Sequence, residues 1–122
     1  MDLVPIEYKY YDFVRELRMN PLTQEGFLEE AQISKEEQEK YMIKHGQNYY
    51  VCLLYGVPVG YIGVLEDDIR FCTHPAYQGR GVGSYMLREA KKLYPNATGR
   101  IKKDNIASQR AFDKADILYT LI

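Results

Sequence analysis

Three glycines in five residues, Gly79, Gly81 and Gly83, stand directly before a helix-like pattern in the stretch HPAYQGRGVGSYML, residues 74–87. Glycine loses more conformational freedom on folding than any other residue, so such a cluster marks backbone that must approach something closely. Residues 68–74 read as a strand ahead of it, and residues 83–94 put Met86, Leu87, Ala90 and Leu93 on one helical face. The first-turn amides of a helix have no internal partner and lie at the positive end of its dipole. Glycines just before that turn let those amides converge on an anion, and Arg80 between two of them adds a charged donor. The stretch is built to hold a diphosphate.

Two common phosphate loops do not fit. A P-loop ends on Gly-Lys-Ser/Thr, whereas here Gly83 is followed by Ser84 with no lysine. The dinucleotide fingerprint G-x-G-x-x-G fails at its third glycine, where Ser84 stands. A third pattern, Gln/Arg-x-x-Gly-x-Gly/Ala, is satisfied throughout by Gln78-Gly79-Arg80-Gly81-Val82-Gly83.

The rest of the chain supplies the setting. Residues 3–8 alternate as a short strand, and Asp12 caps an expected helix that Asn20-Pro21 stops near Met19. Residues 20–33 lack a period, with Phe27 and Leu28 as anchors of a short helical turn. Ser34 and Glu37 form a capping box for a helix that Gly46 closes. Residues 49–55 and 59–65 predict a hairpin around a turn at residues 56–58, and Glu66-Asp67 leads into the strand at 68–74. Beyond the glycine stretch come a strand at 98–102, a helix containing residues 108–114 and a strand at 117–122. The order β-α-α-β-β-β-α-β-α-β specifies an α/β (α+β) sandwich, antiparallel strands first and a strand-loop-helix unit in the middle.

Composition narrows the function. A length of 122 residues, 46% hydrophobic and 27% charged, fits a single globular domain over residues 1–122. No apolar run nears the ~20 residues of a membrane span, and the N-terminus does not read as a signal peptide. Two cysteines, Cys52 and Cys72, make no disulfide framework and suit a reducing cytoplasm. With His45 and His74 they are too scattered for a metal cluster, so no metal is expected. Residues 1–67 carry 12 acids against 6 bases and residues 68–122 carry 5 against 10, so a net charge of −1 conceals halves of −6 and +5. That division suits two small partners of opposite charge better than nucleic acid, which favours a basic whole. Scattered surface charge accounts for it equally well.

The glycine stretch, with its preceding strand, His74-Pro75, Tyr77 and following amphipathic helix, resembles motif A of the GNAT superfamily, the acyl-CoA-dependent N-acyltransferases. Downstream, Asn105, Ser108, Phe112 and Lys114 resemble motif B, Asn-x-x-Ala/Ser-x-x-x-Tyr/Phe-x-Lys. The helix with Arg15, Arg18 and Asn20 and the strand Pro-Val-Gly-Tyr-Ile-Gly also fit, so the resemblance covers nearly the whole chain. It implies a GNAT-like twisted, mostly antiparallel sheet flanked by helices, and transfer of an acetyl group from acetyl-CoA to a primary amine. The amine belongs to a small molecule or a peptide, with no nucleic acid or membrane as partner. By motif position, Gln78, Gly79, Arg80, Gly81, Val82, Gly83 and Ser84 bind the CoA pyrophosphate. Backbone groups near Cys72, Thr73 and His74 hold the pantetheine and polarise the thioester carbonyl. Asn105 and Ser108 contact the pantetheine arm or the adenosine side, and Phe112 belongs to the same set. The basic half then attracts CoA and the acidic half an amine.

The chemistry needs a base to free the amine of its proton. Asp68 is the first candidate, since some similar proteins place a glutamate there, and Glu66 is the second; the competing reading is a solvated turn of Glu66, Asp67 and Asp68. The leaving thiolate often receives a proton from a motif B tyrosine. Phe112 occupies that position, so Tyr119 or a water takes the role. Cys72 reads as a small buried residue rather than a nucleophile, and His74 as a strand terminator. Arg15 and Arg18 read as solvated helix charges, or as residues facing the acceptor. Relatives commonly finish with a two-strand hairpin, whereas the last expected strand here stands alone, an open edge that suggests a homodimer. Phe112 and that single strand also motivate a competing reading, a CoA-binding or regulatory module without catalysis.

Overall fold

The computed structural model describes residues 1–24 and 32–122; Phe27 and Leu28, expected to anchor a helical turn, lie outside the described residues. Strands β1 (Asp2–Pro5), β2 (Tyr49–Leu54), β3 (Val57–Leu65) and β4 (Asp68–Thr73) form one antiparallel sheet in sequence order. Both hairpins turn on two residues in the left-handed region: Tyr55 and Gly56 at φ 50° and 78°, then Glu66 and Asp67 at 51° and 62°. Such turns match the twist of the strands they join. The first turn therefore falls earlier than residues 56–58. Pro58 instead lies inside β3, opposite Leu53 beside a register shift at Cys52/Leu53, where a residue without an N–H is tolerated.

Helices α1 (Tyr11–Met19), α2 (Pro21–Gln24) and α3 (Lys35–His45) precede β2. The N-cap of α1 is Tyr10, not Asp12, which lies in the first turn with its carboxylate 3.3 Å from Arg15. The short α2 escaped the sequence reading, although Asn20 and Pro21 encode it: the Asn20 side chain accepts from Leu22 N–H at 2.8 Å, and proline is suited to a first helical position. Both halves of the Ser34–Glu37 capping box form, each at 3.1 Å. After β4 come α4 (Val82–Leu93), β5 (Gly99–Ile101), α5 (Ile106–Ala115) and β6 (Tyr119–Leu121). Strands β5 and β6 pair in parallel.

The main sheet divides two cores. Val82, Met86 and Leu87 of α4 and Phe112 of α5 pack on Val59, Ile62, Val64 and Ile69. On the opposite face Val14, Leu17 and Met42 cover Tyr49, Val51, Tyr61 and Cys72. Leu93, expected on the apolar face of α4, is exposed instead. Among the described residues no helix is long and apolar enough to cross a membrane.

The feature that positions the site is the contact between the sheets. Strand β4 meets the chain before β5 at one parallel bridge, Asp68 with Thr98, where Ile69 N–H donates to the Thr98 carbonyl at 3.0 Å and Thr98 N–H to Asp67 at 2.8 Å. Beyond it the two strands part.

Candidate active site

Where β4 ends, His74 N–H donates to the Val59 carbonyl at 2.8 Å and its ring Nδ1 accepts from Ala76 N–H at 3.1 Å. The Pro75–Tyr77 turn then delivers the chain to Gly79 at φ +79° and Gly81 at φ +81°, the latter capping α4. A Cβ at either glycine would meet nothing within 4 Å, so the dihedral rather than crowding requires them. Gly83 answers a different need. A Cβ there would lie 3.3 Å from the Phe71 ring and 3.6 Å from Thr73 Oγ1, so its absence lets α4 begin hard against β4. Gln78 and Gly79 form a turn that Arg80 N–H closes, whereas among the described residues no carbonyl accepts from the N–H groups of Gly79, Gly81, Val82, Gly83 or Ser84, the first backbone bond of the helix being Tyr85 N–H to Gly81 at 3.0 Å. Among the described residues the amide of Gly79 and four consecutive ones from Gly81 to Ser84 are thus free at a helix start with no acidic residue in its first turn.

The gap between β4 and β5 supplies the second wall. Hydrogen-bonding direction alternates along an antiparallel strand. Since Ile69 N–H points to Thr98, the backbone groups of Phe71 and Thr73 face the gap, and those of Arg70 and Cys72 face β3. Of the three residues expected to offer backbone groups, Thr73 does so. Cys72 reaches the cleft by its side chain, and His74 N–H is already bound. Phe71 was missed. The alternation rule would have found it, given the pairing of β4.

A cleft of about 820 Å³ runs from the glycine stretch along this gap to α1. Gln78, Gly79, Gly81, Val82, Gly83 and Ser84 line it, as do Asn105, Ser108 and Phe112. Asn105 caps α5, its side-chain oxygen accepting from Ser108 N–H at 3.2 Å. Phe112 is 1% exposed and meets Phe71 and Tyr119 edge-on, each at 5.7 Å. Lys114 of the motif B pattern also lines the cleft, as do Arg100 and Arg110, which the sequence offered only as a basic excess. Arg80 and His74 are not among the lining residues; the Arg80 guanidinium lies 5.3 Å over the Tyr77 ring.

The other end of the cleft is made of side chains. Arg18, Tyr61, Asp68, Arg70 and Cys72 line it. Behind them the hydroxyls of Tyr41 and Tyr49 are 2.7 Å apart, and Arg18 lies 5.6 Å over the Tyr41 ring. Tyr49 reaches across the sheet because its ring lies over Gly63, where a side chain would collide with it. Burial raises the Tyr49 and Tyr61 hydroxyls and pushes the Cys72 thiol up to about 12, so Cys72 stays protonated near neutrality. Both oxygens of Asp68 are engaged by Arg100, at 3.2 and 2.9 Å, and Arg70 approaches at 3.6 Å. Glu66 is exposed in its turn, outside the lining. Tyr119 also lies outside it and donates its hydroxyl to Asp113 at 3.1 Å; desolvation, then that bond, raises its pKa.

Residues 11–116 match the model of the acetyltransferase (GNAT) family. No curated protein matches the sequence. Among solved structures, a domain from Methanocaldococcus jannaschii DSM 2661 superposes with a TM-score of 0.78 at 19% identity, covering 94% of this chain and 86% of that one. Spermidine N-acetyltransferase from Vibrio cholerae, in complex with CoA and spermine, gives 0.79 at 17% identity over 93% and 78%. A putative phosphinothricin N-acetyltransferase gives 0.72 at 19% over 93% and 80%. At these identities the likeness is one of fold.

Proposed function

Because the chain belongs to the acetyltransferase (GNAT) family, we propose that it moves an acetyl group from acetyl-CoA to a primary amine by direct transfer. The observation that carries this is the set of amides unpaired among the described residues, Gly79 and Gly81 to Ser84, ending on the α4 N-terminus and lining a cleft beside parted strands. That arrangement fits a diphosphate, because the anion satisfies N–H groups that otherwise lack partners and meets the positive end of the helix. Arg110 and Lys114 across the cleft suit further phosphate charge.

Acetyl-CoA, when bound, supplies a thioester whose carbonyl carbon the amine attacks and whose C–S bond then breaks, releasing the CoA thiol. The chain's residues do the rest. The loop amides anchor the phosphates, and the backbone groups of Phe71 and Thr73 hold the extended arm in the gap and polarise the carbonyl. Asp68, at the fork of the two strands, takes the proton the amine gives up, directly or through a water. Phe112 offers no hydroxyl, and Tyr119 behind it is bound to Asp113, so water is the proton source for the thiolate. A thiolate, whose conjugate acid has a pKa near 8.5, leaves without strong assistance.

Small-molecule and peptide amines both suit a cleft of this size. Two of the three neighbours are named as a spermidine N-acetyltransferase and a putative phosphinothricin N-acetyltransferase, both names specifying small amines. Acetyl-CoA at a hundred times its Kd should stabilise the chain by about 2.7 kcal/mol and raise its melting temperature. No shift at millimolar acetyl-CoA overturns the reading. Phe112 favours one competing reading, a CoA-binding module without turnover. Thiol release with a panel of amines separates the two, since the module binds CoA and releases none.

A further inference from the structure

Asp68 and Arg100 meet where β4 and β5 part. The two stretches of chain are joined beside them by the Ile69–Thr98 and Thr98–Asp67 backbone hydrogen bonds, and the side chains add a second, two-pronged link: Arg100 Nε to Asp68 Oδ1 at 3.2 Å and Arg100 Nη2 to Oδ2 at 2.9 Å. Arg70 of β4 comes to 3.6 Å from Oδ2, and both residues of the pair line the cleft. A forked guanidinium on a carboxylate sets the plane of the carboxylate, which an ammonium at one point cannot do. An ionised carboxylate has about four lone-pair sites, so a two-pronged contact leaves others free to accept from an amine or a water.

We propose that Arg100 is a positioning residue: it fixes the plane of Asp68 at the fork of the cleft and thereby aims its remaining lone pairs at the acceptor. This rests on the reading of Asp68 as the proton acceptor. The charged groups facing Asp68 are Arg70 from its own strand and Arg100 from β5. Arg100 does not touch the reacting atoms, so its removal acts on the transfer step and not on cofactor binding.

The test uses the whole chain with Arg100→Gln, Arg100→Lys, Asp68→Asn and the double variant Arg100→Gln/Asp68→Asn, each checked for its melting temperature. In the unliganded protein the Arg100 Nε–H resonance should exchange slowly with water and lose that protection in Asp68→Asn; its absence from the start overturns the pairing. With an amine that supports turnover, Asp68→Asn should lower kcat about a hundredfold or more. Arg100→Gln should lower it about tenfold or more, with acetyl-CoA affinity within about twofold, and Arg100→Lys should recover part of the loss. Added to Asp68→Asn, Arg100→Gln should cost nothing further. The proposal fails if Arg100→Gln leaves kcat within twofold, if the losses multiply in the double variant, or if the loss falls on acetyl-CoA affinity alone. A wild-type chain that neither binds acetyl-CoA nor releases thiol with any amine overturns the parent reading and this one together. Wild-type turnover with an indifferent Arg100→Gln overturns this one only.

Discussion

The two ends of the cleft are made differently. The end at α4 is backbone: five amides unpaired among the described residues, set by two glycines in the left-handed region, with the Arg80 side chain turned aside onto Tyr77. The end at α1 is side chain: Arg18, Tyr61, Arg70 and Cys72, gathered from one helix and two strands and backed by the Tyr41–Tyr49 hydroxyl pair. A site made of amides recognises what is constant in a ligand class, which on the proposed function is a diphosphate. A site made of side chains is free to change its ligand while the fold stays the same. On the proposed function the common partner belongs at α4 and the particular one at α1.

The strongest way to break this comparison is Gly81→Val. A β-branched residue forced to φ +81° costs about 1–2 kcal/mol and rotates amides whose bonds to a charged group are worth about 1.5–3 kcal/mol each. Calorimetry should show a loss of about a hundredfold in acetyl-CoA affinity; unaltered affinity would mean that the loop is not a backbone site. Arg70→Ala addresses the other end. It removes the guanidinium 3.6 Å from the Asp68 carboxylate and should change kcat/KM for the amine several-fold, while acetyl-CoA affinity holds. Loss of both together would merge the two ends into one.

Arg80→Glu sharpens the contrast by its smallness. Since the side chain is outside the cleft lining, reversing its charge should weaken acetyl-CoA only several-fold, and a titration at ~1 M salt should abolish the difference. Least of all is expected at Cys72 near neutrality. Its thiol is pushed up to about 12 and that of Cys52 to about 11, chiefly by burial, so alkylating reagents at neutral pH should leave the folded chain unmodified. Both pKa values lie above those of the unfolded thiols. Unfolding therefore releases protons once the pH passes about 9, and stability should fall from there through about 12. A melting temperature flat across that alkaline range would show the thiols to be solvated.

Legibility in the sequence followed the range of the interactions. The capping box at Ser34 and Glu37, the left-handed glycines and the helix starting beside Gly83 are demands of adjacent residues on one another, and each was readable. The pairing of Asp68 with Arg100 was not. They stand 32 residues apart and meet because β5 returns beside the first residue of β4. Phe71 was overlooked for a similar reason, since which backbone groups face the gap follows from the partner on the other edge of β4. Tyr49 carries a signal that can be decoded only afterwards: Gly63, directly across the β2–β3 pair, is the space its ring fills.

By itself the sequence determined most of the elements, the family pattern and the glycine turn before α4, because φ, ψ and helix capping are settled within a few consecutive residues. The tertiary structure decided which carboxylate meets which arginine, where β4 and β5 separate and what lines the acceptor end. Those outcomes depend on strand register and helix docking, where a shift of one residue turns a side chain to the opposite face of the sheet.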